Sequence, residues 1–174
     1  MKKWVFVMMM SLLGCGAQNN TISTNIYKTN SSGLDKQIGT VRFSGTDNGV
    51  FVQVNLQGLP PGAHGFHIHE NPSCDAAPDA SGKMQPAQAA GGHYDPDMTG
   101  VHLGPEGMGH KGDMPVLMAD ADGNVVTEFY LPHISLDEIK NHSVIVHAGG
   151  DNYADTPLPL GGGGARIACG IIKE

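Results

Sequence analysis

The sequence is short of basic charge, of aromatics and of long apolar runs, and these shortages exclude several kinds of function. Ten Lys and Arg stand against 17 Asp and Glu, a formal net charge of −7 over 174 residues. No basic run interrupts that balance, so nucleic acid is not an expected partner. The apolar run Trp4 to Leu13 has ten residues, too few to span a bilayer. Aromatics are sparse at 6%, and cysteines number only three. Glycine is what the chain has in excess. Its 25 residues are about 14% of the total, roughly twice average usage, which favours tight turns and loops over long helices. The length suits one domain with a real core and is too short for two ordinary ones.

Residues 1–14 read as a signal segment rather than as part of the fold. Lys2 and Lys3 give a positive start and Trp4 to Leu13 an apolar centre, the pattern of a secretory signal. The segment ends in Leu12-Leu13-Gly14-Cys15, which resembles a bacterial lipoprotein box. Cleavage before Cys15 and acylation of that residue would hold the protein on a membrane, since several acyl chains anchor stably where one does not. The alternative is an ordinary signal peptide in which Cys15 is incidental. Residues 15–21 are then lipid anchor and tether, and 22–174 the domain. The expected location is the periplasm or cell envelope. Removal of Lys2 and Lys3 leaves 8 basic against 17 acidic residues, a net −9. Cys74 and Cys169 remain. An even pair in an exported chain is read most simply as a disulfide, with a buried reduced pair as the alternative.

Beyond residue 22 the apolar period is two. Val50, Val52, Val54 and Leu56 alternate with Phe51, Gln53 and Asn55, a half-buried strand. Similar runs occur near 22–28, 37–45, 64–70, 115–119, 124–130, 143–147 and 166–172. Asp47-Asn48-Gly49 and Asp122-Gly123-Asn124 supply hairpin turns. Ser135-Leu136-Asp137-Glu138 is a capping box that opens one short helical turn. The expected fold is all-β, a Greek-key antiparallel sandwich or flattened eight-stranded barrel. Two stretches, 71–114 and 148–165, have no period, and loops of that length in a compact domain are usually functional.

Those loops begin or end at histidines whose order suits two metal ions. His67 and His69 lie two apart on a strand and project from one face, with Ile68 turned into the core. With His93 and His147 they make four nitrogens, suited to Cu(II). His93, His102, His110 and Asp113 fall within 21 positions of a Gly-rich loop and can fill all four tetrahedral positions of a zinc. A filled site leaves no place for water, so this zinc should organise the loop. His93 is needed by both sets.

At these residues the chain resembles the bacterial copper–zinc superoxide dismutases. The resemblance rests on GFHIHE at 65–70, GGHYDP at 91–96, HLGPEGMGHKGDMP at 102–115 and GGGGARIACGII at 161–172, and covers most of 37–172. It implies dismutation of superoxide to dioxygen and hydrogen peroxide, by a redox-cycling copper joined through a histidine to a structural zinc. Protection against extracytoplasmic superoxide follows. It assigns copper to His67, His69, His93 and His147, and zinc to His93, His102, His110 and Asp113, with His93 as the bridge and as a catalytic proton carrier. Asp151 is then the carboxylate that joins a copper ligand to a zinc ligand. Cys74 and Cys169 match the family's disulfide, and Arg166 matches the catalytic arginine beside the copper, where a guanidinium can hold a small anion. Association as a homodimer is a further expectation.

Lys83, and more weakly Lys111, are candidates for steering an anionic substrate, because 148–165 contains no lysine. Gly107 to Gly112 formally matches G-x-G-x-x-G, but no strand precedes it and Pro115 follows, so nucleotide binding is not expected. Gly161 to Gly164 is read as letting backbone pass close over the copper cleft. His64 should make a structural hydrogen bond near the site, and His133 and His142 should be ordinary surface or loop residues. Two rivals share the scaffold. A metal storage or delivery protein would not need Arg166, and a zinc hydrolase would need an open coordination site.

Overall fold

The computed structural model describes residues 20–173, so the signal segment and Cys15 lie outside the described residues. Along the chain run β1 (Thr21–Asn30), β2 (Gly33–Thr46), β3 (Gly49–Leu56), β4 (Gly62–His64), β5 (Phe66–His69), β6 (Ala77–Pro78), β7 (Met84–Gln85), β8 (Leu117–Ala119), β9 (Val125–Leu131), the single turn α1 (Leu136–Ile139), β10 (His142–His147) and β11 (Arg166–Ile172). No helix among the described residues is long and apolar enough to cross a membrane. The domain begins slightly earlier than its sequence boundary. Thr21 pairs with Ser44, and the Asn20 carbonyl accepts from Gly45 N at 2.8 Å.

Seven antiparallel strands form one sheet in the order β5-β10-β11-β1-β2-β3-β9. Chain order is broken three times. After β3 the chain crosses to β5 at the opposite edge, after β5 it crosses back to β9 beside β3, and after β9 it returns to β10, the Greek-key route. Period-two alternation sets which face is inward. In β1, Ile22, Thr24 and Ile26 are buried while their neighbours are open to solvent. The sheet curls around this face until its two edges meet. Phe66 of β5 and Phe129 of β9 pack edge to face, with ring centroids 6.4 Å apart. Such a pair contributes roughly 0.5–1.5 kcal/mol beyond its burial.

The strand expected near 115–119 is β8, and it is not part of the seven-stranded sheet. It pairs with β4, Gly62 opposite Ala119 and His64 opposite Leu117. Only Gly65 separates β4 from edge strand β5, and residues 120–124 separate β8 from edge strand β9, so this pair bridges the gap between the edges. In the turn before β9, Asp120 Oδ1 accepts from the backbone N–H groups of Asp122 and Asn124. The expected capping box is present at α1, where Ser135 and Glu138 bond reciprocally.

The unpatterned stretch 71–114 contains only the small β6–β7 hairpin and the 3₁₀ turn Gln88–Ala90 as regular structure. It is fastened to the outer face of the sheet. Cys74, Ala87 and Ala90 pack there with Ile145 and Cys169, apart from the main core. A disulfide joins Cys74 to Cys169 across 95 positions, with Cα atoms 5.7 Å apart.

Candidate metal centre

The site is assembled at β5, the edge strand whose free side recruits two loop segments. Ile68 N donates to Gly112 O and Tyr94 N donates to Ile68 O, both at 2.8 Å. These bonds place the backbone of Asp113 opposite His67 and that of His93 opposite His69. On the other side β10 sets Ser143 opposite His69 and Ile145 opposite His67. Phe66 and Ile68 therefore enter the core while His67 and His69 face the loops. A register shift after Val146 re-aims the end of β10, so that His147 stands opposite Arg166.

The four copper candidates converge. One ligand atom from each of His67, His69, His93 and His147 lies within 4.8 Å of the others, and all four residues are buried. Each ring has one nitrogen committed elsewhere. His67 Nε2 is 2.7 Å from Asp151 Oδ2, His69 Nδ1 is 3.0 Å from Gly91 O, and His147 Nδ1 is 3.2 Å from Gly164 O. His93 Nδ1 meets Asp113 Oδ1 at 2.9 Å. These contacts fix the rings and leave Nδ1 of His67 and Nε2 of the other three facing one another.

The zinc candidates converge on one carboxylate. Asp113 lies 2.8 Å from His102 Nδ1, 2.9 Å from His93 Nδ1 and 3.6 Å from His110 Nδ1. His67 falls within the mutual 4.8 Å of His93, His102 and Asp113, whereas His110 is not part of that group. Nδ1 of His67, His102 and His110 are buried and have no aligned hydrogen-bond partner. His102 Nδ1 is thus near Asp113 without bonding to it, the relation expected of two donors aimed at a common ion. The donor types, three imidazoles and a carboxylate, fit zinc, and the four-imidazole set fits copper. Asp151 joins the two sets, with Oδ1 2.7 Å from His102 Nε2 and Oδ2 2.7 Å from His67 Nε2.

Electrostatics divides the sets. In the metal-free protein burial lowers His69 well below its usual range, with the charges of His93 and Arg166 adding to it. Burial likewise lowers His93 to about 4 and His147 to about 3. His102 goes the other way. Burial opposes its protonation, but the carboxylates of Asp113 and Asp151 together raise it to about 9. Both Asp113 and Asp151 are held below the carboxylate range; burial pushes against this, and the closeness of His102 to both, with His93 beside Asp113 and His67 beside Asp151, prevails.

Arg166 is half-buried beside the copper candidates. Its Nη1 donates to Ala87 O at 2.7 Å and its Nη2 to Gly91 O at 2.6 Å. Burial lowers its pKa, with Glu70 opposing, from a starting point so high that the guanidinium stays charged. The run Gly161 to Gly164 does pass close to the site. A Cβ on Gly163 would come within 3.0 Å of the His147 ring, and one on Gly161 would run into Asp151.

Of the remaining sequence candidates, Lys111 lies 3.2 Å from Glu138 and 3.8 Å from Asp97, so its charge is locally matched. Lys83 makes no ion pair among the described residues, which leaves it as the steering candidate. His64 is structural: its ring spans the His147 and Pro60 carbonyls at 2.7 and 2.8 Å. His133 is exposed. His142 is not an ordinary surface residue, because its Nδ1 is 3.0 Å from His69 O and its ring packs on Tyr94. Sequence reasoning missed Asp155, which accepts from His102 N at 2.9 Å, and Tyr153, whose hydroxyl accepts from Val116 N at 2.9 Å. Neither sits in a ligand-like spacing. The carbonyls of Gly91 and Gly164 were also missed, and main-chain atoms leave no signal in side-chain patterns.

The family model for copper/zinc superoxide dismutase (SODC) matches residues 37–172. A curated superoxide dismutase [Cu-Zn] from Brucella abortus is 50% identical, over 99% of this chain and 100% of its own length. A solved structure titled as the copper/zinc superoxide dismutase from Brucella abortus superposes with a TM-score of 0.85. It is 52% identical, covering 88% of this chain and 99% of that one. The solution structure titled as the monomeric copper, zinc superoxide dismutase from Salmonella enterica gives a TM-score of 0.77. Its identity is 46%, and the match covers 88% of this chain and 99% of that one.

Proposed function

The chain belongs to the copper/zinc superoxide dismutase family, and from that premise we propose how its own residues carry out the reaction. It is an oxidoreductase that converts two superoxide anions into dioxygen and hydrogen peroxide, with copper and zinc as cofactors. In the proposed assignment His67, through Nδ1, and His69, His147 and His93, through Nε2, hold copper. His93 Nδ1, His102, His110 and Asp113 hold zinc. When bound, copper would supply one-electron chemistry, and the two cations would together make the second ring proton of His93 acidic.

Arg166 binds the substrate. Its backbone pairs with that of His147, and its guanidinium is held by loop carbonyls close enough to act electrostatically on His69 and His147, so it presents fixed positive charge where a small anion must come to rest. His93 Nε2 takes up and returns a proton while Nδ1 remains directed to the zinc side. Asp151 keeps the His67 and His102 rings aligned through their Nε2 atoms. Closed burial around the rings excludes bulk water from the histidines, while the Arg166 side remains half-open.

The observation that carries this reading is Arg166 opposite His147, beside four convergent imidazoles. Arg166→Ala should lower dismutation by at least about tenfold, with copper and zinc contents unchanged, because only the anion's partner has been removed. Unchanged activity with both metals retained would overturn the role given to Arg166.

Export and anchoring through acylated Cys15, with residues 1–14 removed, place the enzyme on the cell envelope in this proposal. Cys15→Ser should release it from the membrane fraction and abolish incorporation of an alkyne-labelled fatty acid. Against the expectation of a homodimer, the Salmonella enterica relative is titled as monomeric. Sedimentation equilibrium of the holoprotein decides between them.

A further inference from the structure

We propose that Glu70 is a positioning residue for both Arg166 and His69, acting through the peptide group between Gly91 and Gly92. The proposal rests on the dismutase reading above. Gly91 O is the acceptor shared by the two side chains, from Arg166 Nη2 at 2.6 Å and with His69 Nδ1 at 3.0 Å. Gly92 N, on the other side of the same peptide plane, donates to Glu70 Oε2 at 2.9 Å. A peptide is planar, so whatever holds its N–H in place also aims its C=O. A carboxylate that accepts from the N–H also strengthens the carbonyl as an acceptor, since bonds in a chain polarise one another.

The grip is reinforced from the same side. Glu70 N donates to Gly92 O at 3.1 Å, and the next residue, Asn71, donates from its backbone to Ala90 O at 2.9 Å and from its side chain to Ala89 O at 3.0 Å. Gly91 adopts φ +79°, and a Cβ there would lie 2.5 Å from Glu70 Oε2 and 2.8 Å from Asn71 Nδ2. The carboxylate therefore occupies the space that a side chain at 91 would need. Segment 89–92 is held by Glu70 and Asn71 on one side and presents Gly91 O to the copper site on the other.

Charge makes the assignment testable. Glu70 is exposed and its carboxylate acts on Arg166, so as a bare charge it opposes the approach of an anion. Its geometric and electrostatic roles therefore have opposite signs. Glu70→Gln retains an oxygen for Gly92 N and removes the charge, whereas Glu70→Ala removes both. The measurements are copper and zinc content, kcat/KM against ionic strength, affinity for azide as an unreactive small anion, and the Cu(II) electron paramagnetic resonance spectrum.

Positioning predicts that Glu70→Gln keeps the wild-type spectrum and equals or exceeds wild-type kcat/KM at low salt, the gain vanishing as salt screens it. Glu70→Ala should lose about three- to tenfold in kcat/KM at every ionic strength, bind azide more weakly by a similar factor, and shift the spectrum as His69 loosens. Gly91→Ala, which displaces the carboxylate sterically, should reproduce the Glu70→Ala pattern. Equal behaviour of the two Glu70 variants, in either direction, overturns the proposal. A fully metallated wild-type protein that fails to dismute superoxide would overturn the dismutase reading instead, so the two failures are distinguishable.

Discussion

On the copper side His67, His69 and His147 come from β5 and β10, and their second nitrogens are fixed by Asp151 and by the backbone carbonyls of Gly91 and Gly164. On the zinc side His102, His110 and Asp113 come from the loop between the 3₁₀ turn Gln88–Ala90 and β8, which has no regular structure of its own. That loop is held by carboxylates, Asp151 on His102 Nε2 and Asp155 on His102 N. The difference concerns what maintains each set before any ion arrives. Strand pairing in the curled sheet orients the copper ligands whether or not metal is present. The zinc candidates sit on backbone tied to the rest of the domain by separate bonds to Phe66, Ile68, Glu138, Asp151, Tyr153 and Asp155 rather than by a strand ladder, so the ion itself should add to the loop's order.

The largest effect should come from cutting the covalent tie on the copper side. The Cys74–Cys169 bridge closes 95 positions and fastens the loop whose carbonyls hold Arg166. In the chain-entropy model such a closure contributes about 4–5 kcal/mol, an upper figure. The double Cys→Ser variant should therefore melt lower by on the order of 10 °C for a domain of this size. Calorimetry of the metal-free proteins tests this. A shift of only about 1 °C would mean that the sheet alone supports the copper side.

Asp151→Ala sets the two sides directly against each other, because the carboxylate touches one ring of each. Zinc affinity should fall about 10–100-fold, the usual effect of removing an outer-shell acceptor. Copper affinity should fall less, since β5 still orients His67. Chelator competition for each metal gives the ratio, and equal losses would break the comparison.

What was readable in the sequence divides along the same line. Period two exposed β3, a short continuous apolar run exposed β10, and the shared face of His67 and His69 followed from strand geometry alone. Histidine and aspartate spacing was enough to nominate the side chains that converge as candidate ligands. The pairing of β8 with β4 outside the main sheet was not legible, because three-residue strands carry too little pattern to name a partner. The β6–β7 hairpin was hidden as well, its pairing being only Ala77 with Gln85 and Pro78 with Met84. Tyr153 was invisible for another reason. It adopts φ +57°, a conformation that no local residue preference would suggest for a tyrosine, and its partner Val116 is a backbone amide from another segment.

Proton release sharpens the contrast at the next level. At pH 7.5 in metal-free protein His69, His93 and His147 are neutral, because burial has lowered them, whereas His102 is protonated, its pKa raised to about 9 by Asp113 and Asp151 against burial. A raised histidine stabilises the fold fully below its unfolded value near 6.5, and that contribution is lost as pH rises through about 9. The lowered ones act in the opposite sense, their contribution present above 6.5 and lost as pH falls. Zinc added alone should thus release about one proton from His102 at pH 7.5 and fewer above pH 9, with affinity falling up to about tenfold per pH unit below that. Copper added alone should release none from His69, His93 or His147. Indicator-dye titrations read both, and equal release would remove the distinction.

The smallest effect belongs to Tyr153, which ties loop 148–165 to the chain that follows the zinc loop. Its hydroxyl accepts from Val116 N at 2.9 Å, and a Cβ on Gly104 would collide with its ring. Tyr153→Phe keeps the ring against Gly104 and removes only the acceptor, leaving a partly buried N–H with no partner, at a cost of about 1 kcal/mol. If zinc supplies most of the loop's order, that cost should appear in the metal-free protein as faster hydrogen exchange at the Val116 amide and a slightly lower melting temperature. It should shrink once zinc is bound, because the ion holds His102, His110 and Asp113 regardless of the hydroxyl. A loss of the same size with and without zinc would show that the loop's order comes from its own hydrogen bonds, and the two sides of the centre would then be built alike.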